Sequence, residues 1–267
     1  MRYHGGKWRL AEWIVSVFPD HRIYTEAFGG AASVLMHKPR SYAEVYNDRD
    51  GELVNLFRVL RDRADELETL VRGTPYARDE FDLSYEPVVD DVEQARRTVV
   101  RTMFGYGSTA HNTRLRTGFR ANSNRSGTSP AHDWQNYPDV IEAISERLRG
   151  VVIENRNGLD VIDAHDSPET LHYVDPPYVW STRTGSPGQD KRSYRYEMDD
   201  AAHRELAGVL HSVEGRVVIS GYASGLYDEL YSDWRIVRKK ALADQAARRI
   251  ECLWISPNVE VQPELFG

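Results

Sequence analysis

Cysteine and long apolar runs are the features that this sequence has least of. Cys252 is the only cysteine in 267 residues, which excludes a disulfide framework and a thiolate zinc cluster and indicates a reducing compartment. No apolar run approaches the roughly 18 residues of a membrane span, and the N-terminus lacks a basic cap followed by an apolar core. The nine histidines show no metal-ligand spacing. We therefore expect a soluble, cytoplasmic protein without a membrane anchor and without a metal.

Acidic residues are missing from one long window, 94–132, although the whole chain has 41 Asp and Glu against 34 Lys and Arg. The window holds seven arginines, and the other 27 basic side chains stand against all 41 acidic ones, so an acidic body of charge −14 carries a basic insert. The window is also rich in Asn and Ser, a mixture that can contact phosphates and base edges. On charge alone, the arginines could equally form an ordinary solvated surface that binds no nucleic acid.

Strand and helix patterns alternate at both ends of the chain. A β-rich run at 22–28 leads through Gly29 and Gly30 into a helical stretch, and apolar residues recur at helical spacing from Leu53. The other predicted strands lie at 43–46, 151–154, 171–175, 216–220, 234–237 and 250–255. No helix-length apolar segment separates the last two strands, which can therefore pair antiparallel. The pattern predicts an α/β fold with a doubly wound sheet.

The alternation lapses between 55 and 149. Helical patterns at 92–104 and 138–148 flank the basic stretch in this part of the chain. We interpret 55–149 as an inserted, mainly helical domain, and 1–54 together with 150–267 as the main domain.

The tetrapeptide Asp175-Pro176-Pro177-Tyr178 follows a predicted strand directly. In an open α/β sheet, ligands bind outside the carboxyl ends of the strands. A carboxylate and a nearby carbonyl can accept hydrogen bonds from an exocyclic amine, prolines fix the backbone, and a tyrosine can stack on a ring. The tetrapeptide is therefore suited to hold a flat, amine-bearing ring, although two prolines can also simply end a strand.

Taken with its neighbours, this motif resembles the catalytic motif of the Dam-like DNA adenine-N6 methyltransferases. The motifs follow the order of one class of this family, in which the cofactor motifs come first, the target-recognition insert second and the catalytic tetrapeptide last. Tyr3-His4-Gly5-Gly6-Lys7 is similar to the N-terminal motif of this family, 26–34 to its first cofactor loop, and 251–258 to its closing strand. The resemblance implies a Rossmann-like methyltransferase sheet with an inserted, mainly helical DNA-recognition domain that contains a hairpin.

The resemblance also implies S-adenosylmethionine as the cofactor and assigns residues to it. Asp48 corresponds to the acidic residue that holds the ribose, and Asp160 to the one that meets the adenine of the cofactor. The residues carried over as cofactor-binding are Tyr3, Gly6, Lys7, Glu26, Phe28, Gly29, Gly30, Ser33, Asp48, Asp160 and Asp175. Alternatives stay open for three of them: Asp48 as a helix N-cap, Asp160 as a cap or turn residue, and Lys7 as a solvated lysine or as a contact to DNA near the target base.

The first cofactor loop departs from the family pattern at Ala32, where glycine is common, and at Ala27, where proline is common. A methyl group at Ala32 would narrow the approach to the cofactor.

The basic insert carries the predicted DNA contacts. Residues 117–127 resemble the recognition hairpin of the family, and a second loop at 181–196 is read as covering the DNA, with an ordinary surface loop as the alternative. The candidate DNA-binding residues are Arg114, Arg116, Arg120, Asn122, Asn124, Arg125, Arg183 and Arg192. Arginine can grip a phosphate or read guanine, and asparagine can read adenine.

The predicted reaction is site-specific transfer of a methyl group to the N6 amino group of an adenine flipped out of double-stranded DNA. A cytosine-N4 or RNA base methyltransferase is the alternative enzyme, and a DNA-binding module with a degenerate core is the alternative without catalysis. The resemblance implies a monomer or weak dimer and leaves open a cognate restriction endonuclease as a partner.

Overall fold

The structure is a computed structural model that describes residues 6–107, 116–121, 128–183, 194–242 and 248–259. Its strands are β1 (Ile23–Glu26), β2 (Ala43–Asn47), β3 (Val151–Glu154), β4 (Thr170–Val174), β5 (Arg216–Tyr222), β6 (Arg235–Leu242) and β7 (Arg248–Ile255). Its helices are α1 (Ala11–Val15), α2 (Ser33–His37), α3 (Gly51–Asp62), α4 (Ala64–Gly73), α5 (Arg78–Leu83), α6 (Asp91–Phe104), α7 (Pro130–Gln135), α8 (Ile141–Leu148), α9 (Gly158–Ala164), α10 (Asp200–Ser212) and α11 (Gly225–Leu230).

The strands form one seven-stranded sheet in the order β3-β2-β1-β4-β5-β7-β6. β1 pairs in parallel with β2 and with β4, and β4 pairs in parallel with β5. β7 lies antiparallel between β5 and β6. The predicted α/β fold and the antiparallel pairing of the last two strands are both confirmed.

The register of the central strands aligns their carboxyl ends. Glu26, the last residue of β1, lies opposite Tyr46 on one side and Tyr173 on the other. The chain runs from β1 to β2 on one side and reaches β4 on the other side only later, so the strand order reverses between β1 and β4. Such a reversal opens a crevice at the carboxyl ends of the strands, where ligands bind in doubly wound folds.

Burial explains why the central strands read as nearly continuous apolar runs. All five residues of β4 are buried, as expected for a parallel strand covered on both faces. On one side of the sheet, Ile162 from α9 and Leu206 and Leu210 from α10 pack with Ile219 and Trp254 from the sheet in a single core cluster. This packing anchors the strand that carries the tetrapeptide.

The chain divides into two compact units: 1–6, 50–155 and 193–195 form one, and 7–49, 156–192 and 196–267 form the other. In the first unit, α3 packs against α6 and α8. Asp50 caps α3 by accepting the amide of Glu52, and Asp90 caps α6 by accepting the amide of Glu93. The predicted role of 55–149 as a DNA-recognition domain stays a prediction.

An aromatic cluster organises the described part of the basic window. Phe104 at the end of α6 packs against Tyr76, Phe119 and Trp134. Gly105 and Phe119 form an antiparallel bridge, and the amide of Arg120 donates to the carbonyl of Phe104 at 2.8 Å. Most of the predicted hairpin, residues 122–127, lies outside the described residues.

Two details differ from the sequence pattern. The helical spacing that begins at Leu53 resolves into two helices, α3 and α4, because Arg63 adopts a non-helical conformation between them. β6 and β7 extend beyond the predicted runs, because pairing with each other supports charged residues that the apolar pattern does not include. Among the described residues, no helix is both long enough and apolar enough to cross a bilayer.

Candidate active site

The tetrapeptide begins immediately after β4, at the crevice between β1 and β4. Asp175 is 16% exposed, while Pro176, Pro177 and Tyr178 are buried. Neither proline offers an N–H, and each ring fixes its own φ, so this turn is rigid and presents carbonyls and the Asp175 carboxylate as acceptors. The prediction that the tetrapeptide lies at the carboxyl end of a strand is confirmed.

Both oxygens of the Asp175 carboxylate already accept a hydrogen bond. Lys7 Nζ donates to Oδ2 at 2.8 Å, and Ser220 Oγ donates to Oδ1 at 2.7 Å. Ser220 comes from β5, the strand next to β4, so the sheet itself orients one side of the carboxylate. Asp175 is thereby held in one orientation before any substrate arrives.

Lys7 is buried at 6% exposure, which overturns the alternative of a solvated lysine. Besides its bond to Asp175, its ammonium lies 4.7 Å from the centre of the Tyr178 ring and 3.9 Å from Oε1 of Glu251. A cation over an aromatic face is attracted by the ring quadrupole. The predicted N-terminal motif therefore contributes a charged group to the tetrapeptide.

Tyr178 is held from two sides. Its hydroxyl donates to Oε1 of Glu251, and its ring meets Tyr222 in an edge-on contact with the centroids 4.7 Å apart. Burial raises the pKa of the Tyr178 phenol well above its usual value, and the charges of Asp175 and Glu251 act in the same direction. The hydroxyl thus remains a proton donor to Glu251, and the ring orientation is fixed.

Ser220, Tyr222 and Glu251 are site residues that the sequence analysis did not assign. One signal was available for Glu251, because a glutamate between Ile250 and Cys252 interrupts an otherwise apolar strand. It is 3% exposed and lies opposite Tyr222 in the pairing of β7 with β5. A buried carboxylate in such a strand needs partners, which are here Tyr178 and Lys7.

The first cofactor loop makes a tight turn between β1 and α2. The amide of Gly29 donates to the carbonyl of Asn47 at 2.8 Å, and a Cβ at Gly29 would lie 2.2 Å from Cε2 of Tyr46. Gly30 and Ala32 both have positive φ, at 48° and 52°. Ala32 is the one non-glycine residue with positive φ in the described parts of the chain, which gives a backbone reason why glycine is common there.

Asp48 follows β2 and accepts the amide of Gly30 at 2.9 Å. The alternative role as N-cap belongs instead to Asp50, which caps α3. Asp48 therefore links the end of β2 to the glycine turn after β1.

Glu26 ends β1 and is buried at 3% exposure. Its Oε2 accepts the amide of Leu35 in α2 at 3.1 Å. Burial raises the pKa of Glu26 to about 8, and the charge of Asp175 adds to this effect. Ser33 is buried at the start of α2, and Phe28 packs against Gly158 at the start of α9.

Three predicted cofactor residues lie elsewhere or outside the described residues. Asp160 is exposed in the first turn of α9, where Asn157 provides the cap, so the alternative of Asp160 as the cap is wrong. Gly6 is exposed, and Tyr3 lies outside the described residues.

The predicted DNA-binding residues have different environments. Arg116 is exposed and pairs with Asp82 at 2.6 Å. Arg120 is buried at 5% exposure and donates to the carbonyl of Met103, so it supports the fold of its own unit. Arg183 pairs with Glu197 and donates to the carbonyl of Tyr178, bracing the tetrapeptide. The remaining candidates lie outside the described residues: Arg114, Asn122, Asn124, Arg125 and Arg192.

Three other arginines of the acid-free window are internal. Arg96 and Arg97 pair with Glu93 in the same helix, and Arg101 pairs with Glu52 of α3. Their side chains are 4–11% exposed. The positive charge counted along the window is therefore partly neutralised by Glu93, directly before the window, and by Glu52 of α3, so the basic surface is smaller than the sequence predicted.

A central parallel strand followed by an Asp-Pro-Pro-Tyr turn, in a sheet that ends in antiparallel strands, is the arrangement expected from the resemblance to the DNA adenine-N6 methyltransferases. The family model described as D12 class N6 adenine-specific DNA methyltransferase matches residues 3–245, and the chain belongs to this family. Type II methyltransferase M1.LlaDCHI of Lactococcus lactis subsp. cremoris is 26% identical to this chain over an alignment of 267 positions. The alignment covers 92% of this chain and 89% of that protein.

The protein is thus an enzyme that methylates the N6 amino group of adenine in DNA. This confirms the function predicted from the sequence over the cytosine-N4, RNA and non-enzymatic alternatives.

The Gly29 turn yields a stability prediction. Gly29→Ala should lower the free energy of unfolding by about 1–3 kcal/mol, because the new methyl group collides with Tyr46 inside a packed core. Urea denaturation monitored by circular dichroism measures the change. Gly208→Ala in α10 is the matched control: nothing lies within 4 Å of the added Cβ, so stability should rise by about 0.5–1 kcal/mol. Equal stability of the Gly29 variant and the unmodified protein would contradict the packing argument.

Proposed function

We propose that the tetrapeptide after β4 holds the target adenine during methyl transfer. The Asp175 carboxylate and the Pro176 carbonyl accept the two amino hydrogens of the base. These bonds favour a more tetrahedral nitrogen and turn its lone pair toward the methyl donor, so that orientation supplies much of the rate enhancement. The observation that carries this proposal is the fixed carboxylate of Asp175, bonded to Lys7 and Ser220 at the edge of the crevice.

The base reaches this pocket only outside the duplex. An adenine amine within the stack is out of reach, so the base flips out at a cost of a few kcal/mol. The Tyr178 ring, which Glu251 and Tyr222 hold in place, stacks on the flipped adenine and offsets part of this cost. The buried prolines keep the pocket narrow and exclude water from the amine.

S-adenosylmethionine fits the residues at the carboxyl ends of β1, β2 and β4. A ligand with a cationic amino group, ribose hydroxyls and an adenine amine needs acceptors, and carboxylates offer only acceptors. Glu26 would hold the ammonium and Asp48 the ribose hydroxyls, and Asp160 of α9 would hold the adenine amine, as the family resemblance implies. The turn at Gly29 and Gly30 would let the backbone approach the cofactor. When bound, the cofactor supplies the sulfonium methyl group.

The remaining residues carried over from the family have supporting roles in this proposal. Lys7 holds Asp175, Phe28 and Ser33 shape the cofactor loop, and Tyr3 and Gly6 enclose the cofactor. Exposed Arg116 contacts DNA, as do candidates that lie outside the described residues. Arg120 and Arg183 act through the fold, since Arg120 is buried, Arg183 is half-buried, and both donate to backbone carbonyls.

A restriction endonuclease of the same specificity is proposed as a functional partner. The support is the name of the relative from Lactococcus lactis, which is a Type II methyltransferase. A monomer or weak dimer remains our expectation for the quaternary state.

Asp175→Asn should reduce methyl transfer by at least about a hundredfold, because the amide replaces an acceptor with a donor where charge develops. The target site is first identified by expression in methylation-free cells and single-molecule sequencing, and labelled methyl transfer to that site is then measured. Asp166→Asn is the control, since that aspartate is similarly exposed, at 18%, but accepts amides of 214 and 215 before β5. Rapid turnover by the Asp175 variant would refute the assignment.

The raised pKa of Glu26 predicts that cofactor binding releases protons. With a pKa of about 8, the carboxyl group is mostly protonated near pH 7 in the free enzyme. A cation bound beside it favours the ionised form, lowers this pKa and expels part of a proton. Calorimetry in two buffers with different ionisation enthalpies measures the release. Glu26→Gln should abolish it, whereas Glu44→Gln, at another buried glutamate of the sheet, should not. Undiminished release in the Glu26 variant would remove Glu26 from the ammonium site.

Arg116→Ala should weaken DNA binding without changing the affinity for the cofactor. The slope of the logarithm of the DNA-binding constant against the logarithm of the salt concentration should decrease by about one. Fluorescence anisotropy with the identified target duplex at several salt concentrations measures both. Arg72→Ala is the matched control, because Arg72 is equally exposed (56% against 58%) and also pairs with an aspartate. If the two variants bind DNA alike, the contact lies elsewhere in the basic window.

A further inference from the structure

Glu251 is the one charged group of the active-site cluster to which the proposed mechanism gives no direct role in the reaction. It is 3% exposed, accepts the hydroxyl of Tyr178, and lies 3.9 Å from the ammonium of Lys7. Lys7 in turn donates to Asp175 at 2.8 Å. One buried ammonium therefore lies between two carboxylates and bonds directly to only one of them.

This arrangement poses a problem for substrate binding. The amino group of adenine needs an acceptor, yet Oδ2 of Asp175 is bonded to Lys7 and Oδ1 to Ser220. Each carboxylate oxygen has a second lone pair, but the ammonium draws the electron density of Oδ2 and weakens any hydrogen bond that the amine forms there. A buried lysine cannot simply leave its carboxylate, because an unpaired charge in a desolvated site is strongly unfavourable. A second carboxylate within reach removes this penalty, and Glu251 is about 1 Å beyond hydrogen-bond distance.

We propose that Glu251 is a positioning residue that receives the ammonium of Lys7 when the adenine amino group reaches Asp175. Lys7 moves from Oδ2 of Asp175 to Oε1 of Glu251, and Oδ2 becomes available to the amine. The charge of Lys7 remains paired throughout, and no proton or covalent bond changes place. This inference rests on the proposed role of Asp175 as the acceptor of the amino group.

Tyr178 couples this movement to base stacking. Its hydroxyl bonds to the same oxygen, Oε1 of Glu251, that lies nearest to Lys7. The Tyr178 ring and the ammonium are also in contact, at 4.7 Å. Glu251 therefore fixes the ring through one contact and lies within reach of the ammonium that contacts the same ring.

Glu251→Gln separates the two contributions of this residue. The amide oxygen still accepts the hydroxyl of Tyr178, but the negative charge that draws Lys7 away from Asp175 is gone. We expect kcat for methyl transfer to fall by about tenfold or more, with the dissociation constant of S-adenosylmethionine unchanged by calorimetry. Glu44→Gln is the control, because Glu44 is equally buried in β2 and pairs with Lys38 away from the tetrapeptide. It should lower stability and leave kcat unaltered.

A double-mutant cycle with Lys7→Met distinguishes positioning from a purely structural role. If Glu251 acts through Lys7, Glu251→Gln should change kcat by less than about twofold in the Lys7→Met background. Equal reductions in the two backgrounds would overturn the proposal, as would a Glu251→Gln enzyme with unchanged kcat. Rapid turnover by the Asp175→Asn enzyme would instead refute the proposed role of Asp175 as the acceptor of the adenine amino group.

Glu251→Asp keeps the inference testable if the glutamine variant does not fold, as judged by circular dichroism. The shorter side chain keeps the charge but withdraws it from Lys7 and from the hydroxyl of Tyr178. We expect a smaller loss of kcat than for glutamine where both fold, and a smaller loss in the Lys7→Met background than with Lys7 present. A loss of equal size in the two backgrounds contradicts the proposal.

Discussion

The ion pair between Lys7 and Asp175 is the interaction on which the active site depends. It joins the N-terminal motif to the tetrapeptide across 168 positions of sequence, and it fixes the carboxylate that we propose as the acceptor of the adenine amine. The pair is nearly buried, so it survives only with further partners. Ser220 supplies one from the neighbouring strand, and the Tyr178 ring and Glu251 supply the others. The Lys7 ammonium and the carboxylates of Asp175 and Glu251 are therefore already in contact range of one another without a bound ligand.

The sheet provides the frame that makes this pair possible. Parallel strands with aligned ends bring the residues after β1, β2 and β4 to one edge, although they are distant in sequence. This arrangement disfavours the ionised form of Glu26, because burial raises its pKa to about 8 and the charge of Asp175 adds to this effect. A group held in its unfavourable protonation state beside a crevice responds strongly to a cationic ligand. The same strand ends therefore orient the Asp175 carboxylate and raise the pKa of Glu26.

The basic window illustrates why charge along a chain differs from charge on a surface. The seven arginines between 94 and 132 predicted a strongly positive insert. Arg96, Arg97 and Arg101 instead form ion pairs inside the helical unit, and Arg120 bonds to a backbone carbonyl. Helical periodicity places Arg96 and Arg97 within reach of Glu93, one turn earlier, just outside the window. Arg116 is exposed, as the sequence predicted for all seven arginines.

The amino-acid sequence by itself determined the order of strands and helices, the family and the tetrapeptide. These depend on local periodicity and on contiguous motifs, which a linear reading preserves. Tertiary structure decided which side chains meet. Glu251 contacts Tyr178 over 73 positions and Ser220 contacts Asp175 over 45, and neither pair has a local signature. The alternatives for Lys7 and Asp48 were likewise settled by burial and by partners. Hydrogen bonds in a desolvated crevice form between whichever groups the sheet register brings together, and that register exists only in the folded chain.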